Sequence, residues 1–199
     1  MKPIPDNARP NDPRWTTAFL DLAYGLVMAG AKGKIIERFT HLSHRKVRKL
    51  YKALRRTAPP PGPVMQGSAH YFTRPSKRIP AEWIVQCAIF LAYYERMSKI
   101  TTMQVQRGWL LLAAFNAYLS LTQKLHEITS VKRLDINQAY ALLSYYGFMT
   151  MRNGAKLQRR QCPNCLICYP VVADEDPDTQ ACPVCTINAR CERVSQAAA

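Results

Sequence analysis

The run Leu42-Ser43-His44-Arg45-Lys46-Val47-Arg48-Lys49-Leu50-Tyr51-Lys52-Ala53-Leu54-Arg55-Arg56 decides how this chain is read. Val47, Leu50, Tyr51 and Leu54 recur at i, i+3, i+4 and i+7, the spacing of a helix that buries one face. His44, Arg45, Lys46, Arg48, Lys49, Lys52, Arg55 and Arg56 all fall off that face. Ser43 stands where an N-cap belongs. His41-Leu42 before it is short enough to be a turn. Ahead of the turn, Ile35, Ile36 and Phe39 share one face of a second short helix. Two short helices on a tight turn, the second strongly basic, read as a helix-turn-helix.

Charge sharpens this reading. From Lys32 to Arg56 there are ten Lys or Arg and one acid, Glu37. Arg45 and Lys46 fall in the helix's first turn, where the macrodipole is already positive. With no acid there, an external anion would relieve the repulsion, and recognition helices address DNA with their N-terminal residues. The expected DNA-contacting residues are therefore Ser43, His44, Arg45, Lys46, Arg48, Lys49, Lys52, Arg55 and Arg56. Arg45 and Arg48 are the candidates for base edges, because a guanidinium can bind guanine bidentately. A lone basic helix would be explained as a solvated face; the preceding helix and turn shift the balance.

Working outward, residues 1–14 carry four prolines among polar residues and read as a flexible arm. Phe19, Leu20, Leu22, Ala23, Leu26 and Val27 mark a helix over Trp15–Met28, punctuated by Gly30 and Gly33. Pro59-Pro60-Pro61-Gly62-Pro63 ends the basic helix and reads as a stiff linker. Beyond it, Pro80 opens an apolar helix with Trp83, Ile84, Cys87, Ala88 and Leu91. Two further helices are expected at about 105–128 and 135–150, closing near Asn153-Gly154. The expected organisation is an arm (1–14), a helix-turn-helix region (15–63), a helical region (64–158), a metal-binding module (159–192) and a tail (193–199). The fold class is mainly α: an N-terminal helix-turn-helix, a central helical region and a small C-terminal zinc-ribbon-like module built on four cysteines.

A net charge of +15 on 199 residues points to a polyanionic partner, either nucleic acid or an anionic membrane surface. The apolar stretches Trp109–Phe115 and Ala88–Tyr94 are far short of the roughly 20 residues a bilayer span needs. The N-terminal residues have no apolar core of the secretory kind. The expected location is the cytoplasm, without membrane contact. Thiols stay reduced there, so the seven cysteines favour metal over disulfides.

The strongest motif is Cys162-Pro163-Asn164-Cys165, then sixteen residues, then Cys182-Pro183-Val184-Cys185. Two residues between cysteines let one tight turn offer both sulfurs to one ion, and two such turns close a tetrahedral structural site. Cys168 makes Cys165–Cys168 a second valid pair. Cys162 and Cys165 are preferred because both pairs then share the Cys-Pro-x-Cys form, with Cys168 and Cys191 as spectators or fallback ligands. The expected cofactor is one structural Zn2+ per chain; an iron–sulfur cluster also takes four thiolates. Tyr169, Val171 and Val172 suggest a short strand before the acidic loop Asp174-Glu175-Asp176-Pro177. Cys87 sits on an apolar helix face and reads as core. A catalytic zinc would need an open position and a nearby base. His126-Glu127 has the wrong order for a deaminase motif, and no HExxH occurs, so no enzyme is expected.

The run from Leu42 to Arg55, the Pro59–Gly62 turn and the two cysteine pairs closely resemble the FlhC family of bacterial transcriptional activators. Phe72 and Trp83 fall near the family's aromatic positions. The resemblance spans roughly 17–190 and is strong at 42–62 and 162–185. It implies a heterohexamer of two such chains with four FlhD-like helical subunits, bound upstream of promoters and recruiting RNA polymerase. The long proline-rich arm, Cys168 and the short tail depart from the pattern. Such departures suit a relative on a conjugative plasmid or integrative element that activates transfer genes, as well as a flagellar regulator of class II promoters. Two other classes compete: a zinc-stabilised RNA-binding protein, and a zinc enzyme acting on nucleic acid. RNA readers more often expose aromatics on sheets, which disfavours the first.

Overall fold

The structure, a computed structural model, describes residues 13–54, 56–62, 68–76, 79–99, 104–129, 133–149, 155–176 and 180–197. Most of the expected arm, Arg55 and the Asn153-Gly154 break lie outside the described residues.

Helix α1 (Pro13–Met28) buries Ala18, Leu22, Ala23, Leu26 and Val27. Leu20, expected on this stripe, is 46% exposed, because the buried face rotates past it. A turn through Gly30 leads to α2 (Gly33–Thr40), which buries Ile35, Ile36 and Phe39 as expected. His41, at φ 53°, closes α2 in the left-handed region and donates its N–H to the Glu37 carbonyl at 2.9 Å. The basic helix α3 (His44–Ala53) follows at once and buries Val47. Ser43 has the extended backbone of an N-cap, but its hydroxyl makes no capping bond.

The proline-rich segment then folds back: Gly62 donates its N–H to the Gly30 carbonyl at 3.3 Å. A single 3-10 turn at Ala69–Phe72 precedes α4 (Ala81–Ser98), with Pro80 at the N-cap position itself. Helix α5 (Gln104–Thr129) packs on α1 and α2 through Gly108. A β-carbon there would meet Leu22 Cδ2 at 2.8 Å and Phe39 Cβ at 2.9 Å, so the helices touch backbone to side chain. Helix α6 (Ile136–Tyr145) starts at a capping box: Asp135 accepts the N–H groups of Asn137 and Gln138, and Gln138 accepts that of Asp135 at 2.8 Å. It stops five residues before the expected end because Gly147 turns the chain at φ 78°.

One hydrophobic core runs through all of these elements, from Leu22 and Val47 to Leu143, Leu157 and Val172. Inside it, Tyr118 donates to the Gln86 side chain and accepts the Leu134 N–H at 3.0 Å, so these buried polar groups are satisfied.

The chain ends in a small module. Strands β1 (Leu157–Gln161) and β2 (Cys168–Val172) pair antiparallel, with Leu157 opposite Val172 and Gln161 opposite Cys168. β2 is the strand the sequence suggests; β1 is additional. Helix α7 (Pro183–Ala197) follows, running through residues expected as a tail, and packs on α4 with Arg190 paired to Glu82 at 3.2 Å. No helix among the described residues is long and apolar enough to cross a membrane.

Candidate metal centre and candidate nucleic-acid interface

The turn between β1 and β2 is a tight knuckle. Cys162 donates its N–H to the Ile167 carbonyl, and Leu166 donates back to the Cys162 carbonyl, both at 2.9 Å. Leu166 accepts a left-handed backbone at φ 61° to close it, and its carbonyl takes the Gln161 side chain at 3.0 Å. Cys162 and Cys165 sit on this knuckle. Cys182 and Cys185 come from the start of α7, where Thr186 bonds the Cys182 carbonyl through both its N–H and its hydroxyl.

The four sulfurs of Cys162, Cys165, Cys182 and Cys185 lie within 4.8 Å of one another. Cys162–Cys185 are 3.7 Å apart and Cys165–Cys182 3.5 Å. All four are free thiols, and these gaps are far beyond the roughly 2.05 Å of a disulfide. A tetrahedron of bonds about 2.3 Å long has edges of about 3.8 Å, so the set fits a four-thiolate metal site. These four residues could hold a metal ion.

Electrostatics lean the same way. The backbone N–H of Cys165, followed by that of Asn164, pulls the Cys162 thiol down to about 6 against the opposing effect of burial. The Cys185 thiol is pushed up to about 12, chiefly by its hydrogen bond with Cys162, and burial raises that of Cys182. Four thiols packed this closely cannot ionise together without a counter-charge, and a dication would supply one. Cys168, the alternative from spacing, lies in the β2 ladder outside the sulfur group. Cys191 is exposed on α7 and Cys87 fully buried on α4, where burial pushes its thiol well up. The acidic loop is tied down by contacts that sequence does not signal: Glu175 pairs with Arg74 at 2.5 Å and His70 at 3.5 Å.

On α3, Ser43, His44, Arg45, Lys46, Arg48, Lys49, Lys52 and Arg56 are all exposed; Arg55 lies outside the described residues. Leu50, Tyr51 and Leu54 pack against the core beside Val47. Tyr51 donates its hydroxyl to the Ala31 carbonyl, fastening α3 to the α1–α2 turn, and burial pushes its phenol up to about 12. Glu37, the single acid of this segment, is engaged by His44 Nδ1 at 2.7 Å. Among the described residues, no carboxylate pairs with Arg45, Lys46, Arg48, Lys49, Lys52 or Arg56.

A helical body that presents a basic helix, and carries four clustered thiols in a small hairpin-and-helix module, has the build of a helical regulator with a candidate metal site. The chain belongs to the family described as flagellar transcriptional activator (FlhC), whose model matches residues 16–198. That match takes in most of α1 and all of α2 through α7, and so both the basic helix and the cysteine pairs. No curated protein matches the chain.

Proposed function

We infer that this transcriptional activator works by binding duplex DNA through α3, with a zinc ion holding its C-terminal module. The observation that carries the reading is the two-sided character of α3. Val47 is 1% exposed and anchors the helix, while six described cations from Arg45 to Arg56 face solvent without acid partners among the described residues. A helix fixed by its apolar stripe sets the roots of these side chains in a rigid array, so little backbone ordering opposes groove binding. Arg45 and Arg48 address base edges, and Ser43, His44, Lys46, Lys49, Lys52, Arg55 and Arg56 address phosphates.

Zinc takes Cys162, Cys165, Cys182 and Cys185, which fill its shell and leave no open position for catalysis. When bound, it neutralises the clustered thiolates and cross-links the hairpin to α7. The chain acts in the cytoplasm within a hetero-oligomer containing an FlhD-like helical subunit, two chains to four in the family's manner. It binds upstream of flagellar or transfer promoters and recruits RNA polymerase. Selection from a pool of random duplexes tests the reading. It should return a defined operator whose major-groove guanines are shielded from methylation, whereas a pool that stays random would contradict it.

A further inference from the structure

Arg38 on α2 and Arg107 on α5 flank one helix crossing, since Phe39 and Gly108, the residues after them, are in contact. Both guanidinium groups reach over to the connection between α6 and β1. Arg107 Nη1 donates to the Phe148 carbonyl at 3.4 Å, and Arg38 Nη2 donates to the carbonyl of the next residue, Met149. Consecutive carbonyls hold the two cations close together, on the order of 10 Å or less.

Neither has an acid partner among the described residues; Glu95, on the neighbouring α4, is engaged by Arg159. A backbone carbonyl orients a guanidinium but leaves its charge unneutralised, and it uses only one of five N–H donors. Arg38 is exposed, and no nitrogen of half-buried Arg107 is buried without a partner, so the remaining donors face solvent. Arg107 also adds positive charge near the start of α5, a helix with no acid in its first turn. The pair is therefore pre-oriented, with no carboxylate partner among the described residues. Arg45 lies seven positions after Arg38, a span of at most about 25 Å, which is less than one turn of duplex.

We propose that Arg38 and Arg107 form a second anion-binding point, which grips the phosphodiester backbone of the duplex that α3 reads. This rests on the reading of α3 as the DNA-binding helix. The site lies where the helix-turn-helix meets the connection to the cysteine module, so the footprint extends from α3 over α2 towards β1. Its contacts are to phosphate, so it adds affinity without sequence preference.

The test uses the full chain, a random-sequence duplex and the operator that the chain selects. The Arg38→Gln, Arg107→Gln pair should weaken binding to both duplexes equally. It should also flatten the log–log salt dependence by about 1.8, at 0.9 per phosphate contact. The Arg38→Lys, Arg107→Lys pair keeps the charge and should restore most of the slope. A wild-type slope in the Gln pair would overturn the proposal, and so would an equal loss in the Lys pair, which would mark the contacts as purely structural. Arg45→Ala with Arg48→Ala, run alongside, should lose operator preference. If that variant keeps its preference, the α3 reading fails; if it loses preference while the Gln pair behaves as wild type, only the second site fails.

Discussion

The side-chain oxygen of Asn137 on α6 accepts the backbone N–H of Lys32 at 2.8 Å, across 105 positions of sequence. The same amide donates to the Gly30 carbonyl at 3.1 Å, and Asn137 is 4% exposed. One buried side chain thus brackets the turn that launches α2 and, through it, α3. Asn137→Ala would strand the Lys32 N–H, at about 1–3 kcal/mol for an unsatisfied buried group, while the Gly30 carbonyl keeps the Gly62 N–H. A loss of about 2 kcal/mol in denaturant unfolding is expected on that scale, and a loss below a few tenths would show that the turn holds itself.

The two glycines at which α5 meets its neighbours should behave differently. At Gly108 an added methyl meets Phe39 Cβ, which is fixed to its backbone, so Gly108→Ala should cost about 1–3 kcal/mol by overpacking. At Gly25 the obstacle is Leu112 Cδ2, the end of a side chain that can rotate. Gly25→Ala should be close to neutral, because removing a mid-helix glycine returns up to about 1 kcal/mol. Thermal melts of the two variants decide it; equal losses would contradict the packing described.

Cys165→Ser or Cys182→Ser should lose one equivalent of bound zinc and loosen the C-terminal module. Cys168→Ser and Cys191→Ser should keep it, since neither sulfur lies in the cluster. Metal content by elemental analysis reads this directly. Iron in place of zinc, or full zinc retention in Cys182→Ser, would overturn the assignment.

Burial pushes the phenols of Tyr51, Tyr94 and Tyr118 from 10 up to about 12. Because the folded state holds these protons more tightly than the unfolded one, the associated stability is whole below about pH 10 and is lost as pH rises towards 12. Phenolate absorbance should therefore rise together with loss of helical circular dichroism in alkali. Complete titration of all tyrosines near 10 with the helices intact would refute their burial.

The parts legible in the sequence are those where one local pattern suffices. The stripe through Val47 and Leu50 locates α3, and its charges locate the exposed face. The two Cys-Pro-x-Cys turns locate the sulfur cluster. Spacing cannot separate Cys162–Cys165 from Cys165–Cys168; strand register does, by putting Cys168 in a ladder opposite Gln161. β1 is invisible because Leu157 is its one buried residue in a polar run and its partner strand defines it. α7 is largely exposed, so it lacks a broad apolar stripe. Ser43 occupies the N-cap position without bonding there, a rotamer choice that sequence does not encode.

The central claim is that α3 reads DNA, and operator affinity of the Arg45→Ala, Arg48→Ala variant at fixed salt tests it most directly. Each bidentate base contact is worth about 1–3 kcal/mol, so the variant should bind the selected operator at least tenfold more weakly, with preference over random duplex largely gone. Wild-type affinity and preference in a folded, zinc-loaded variant would contradict the account.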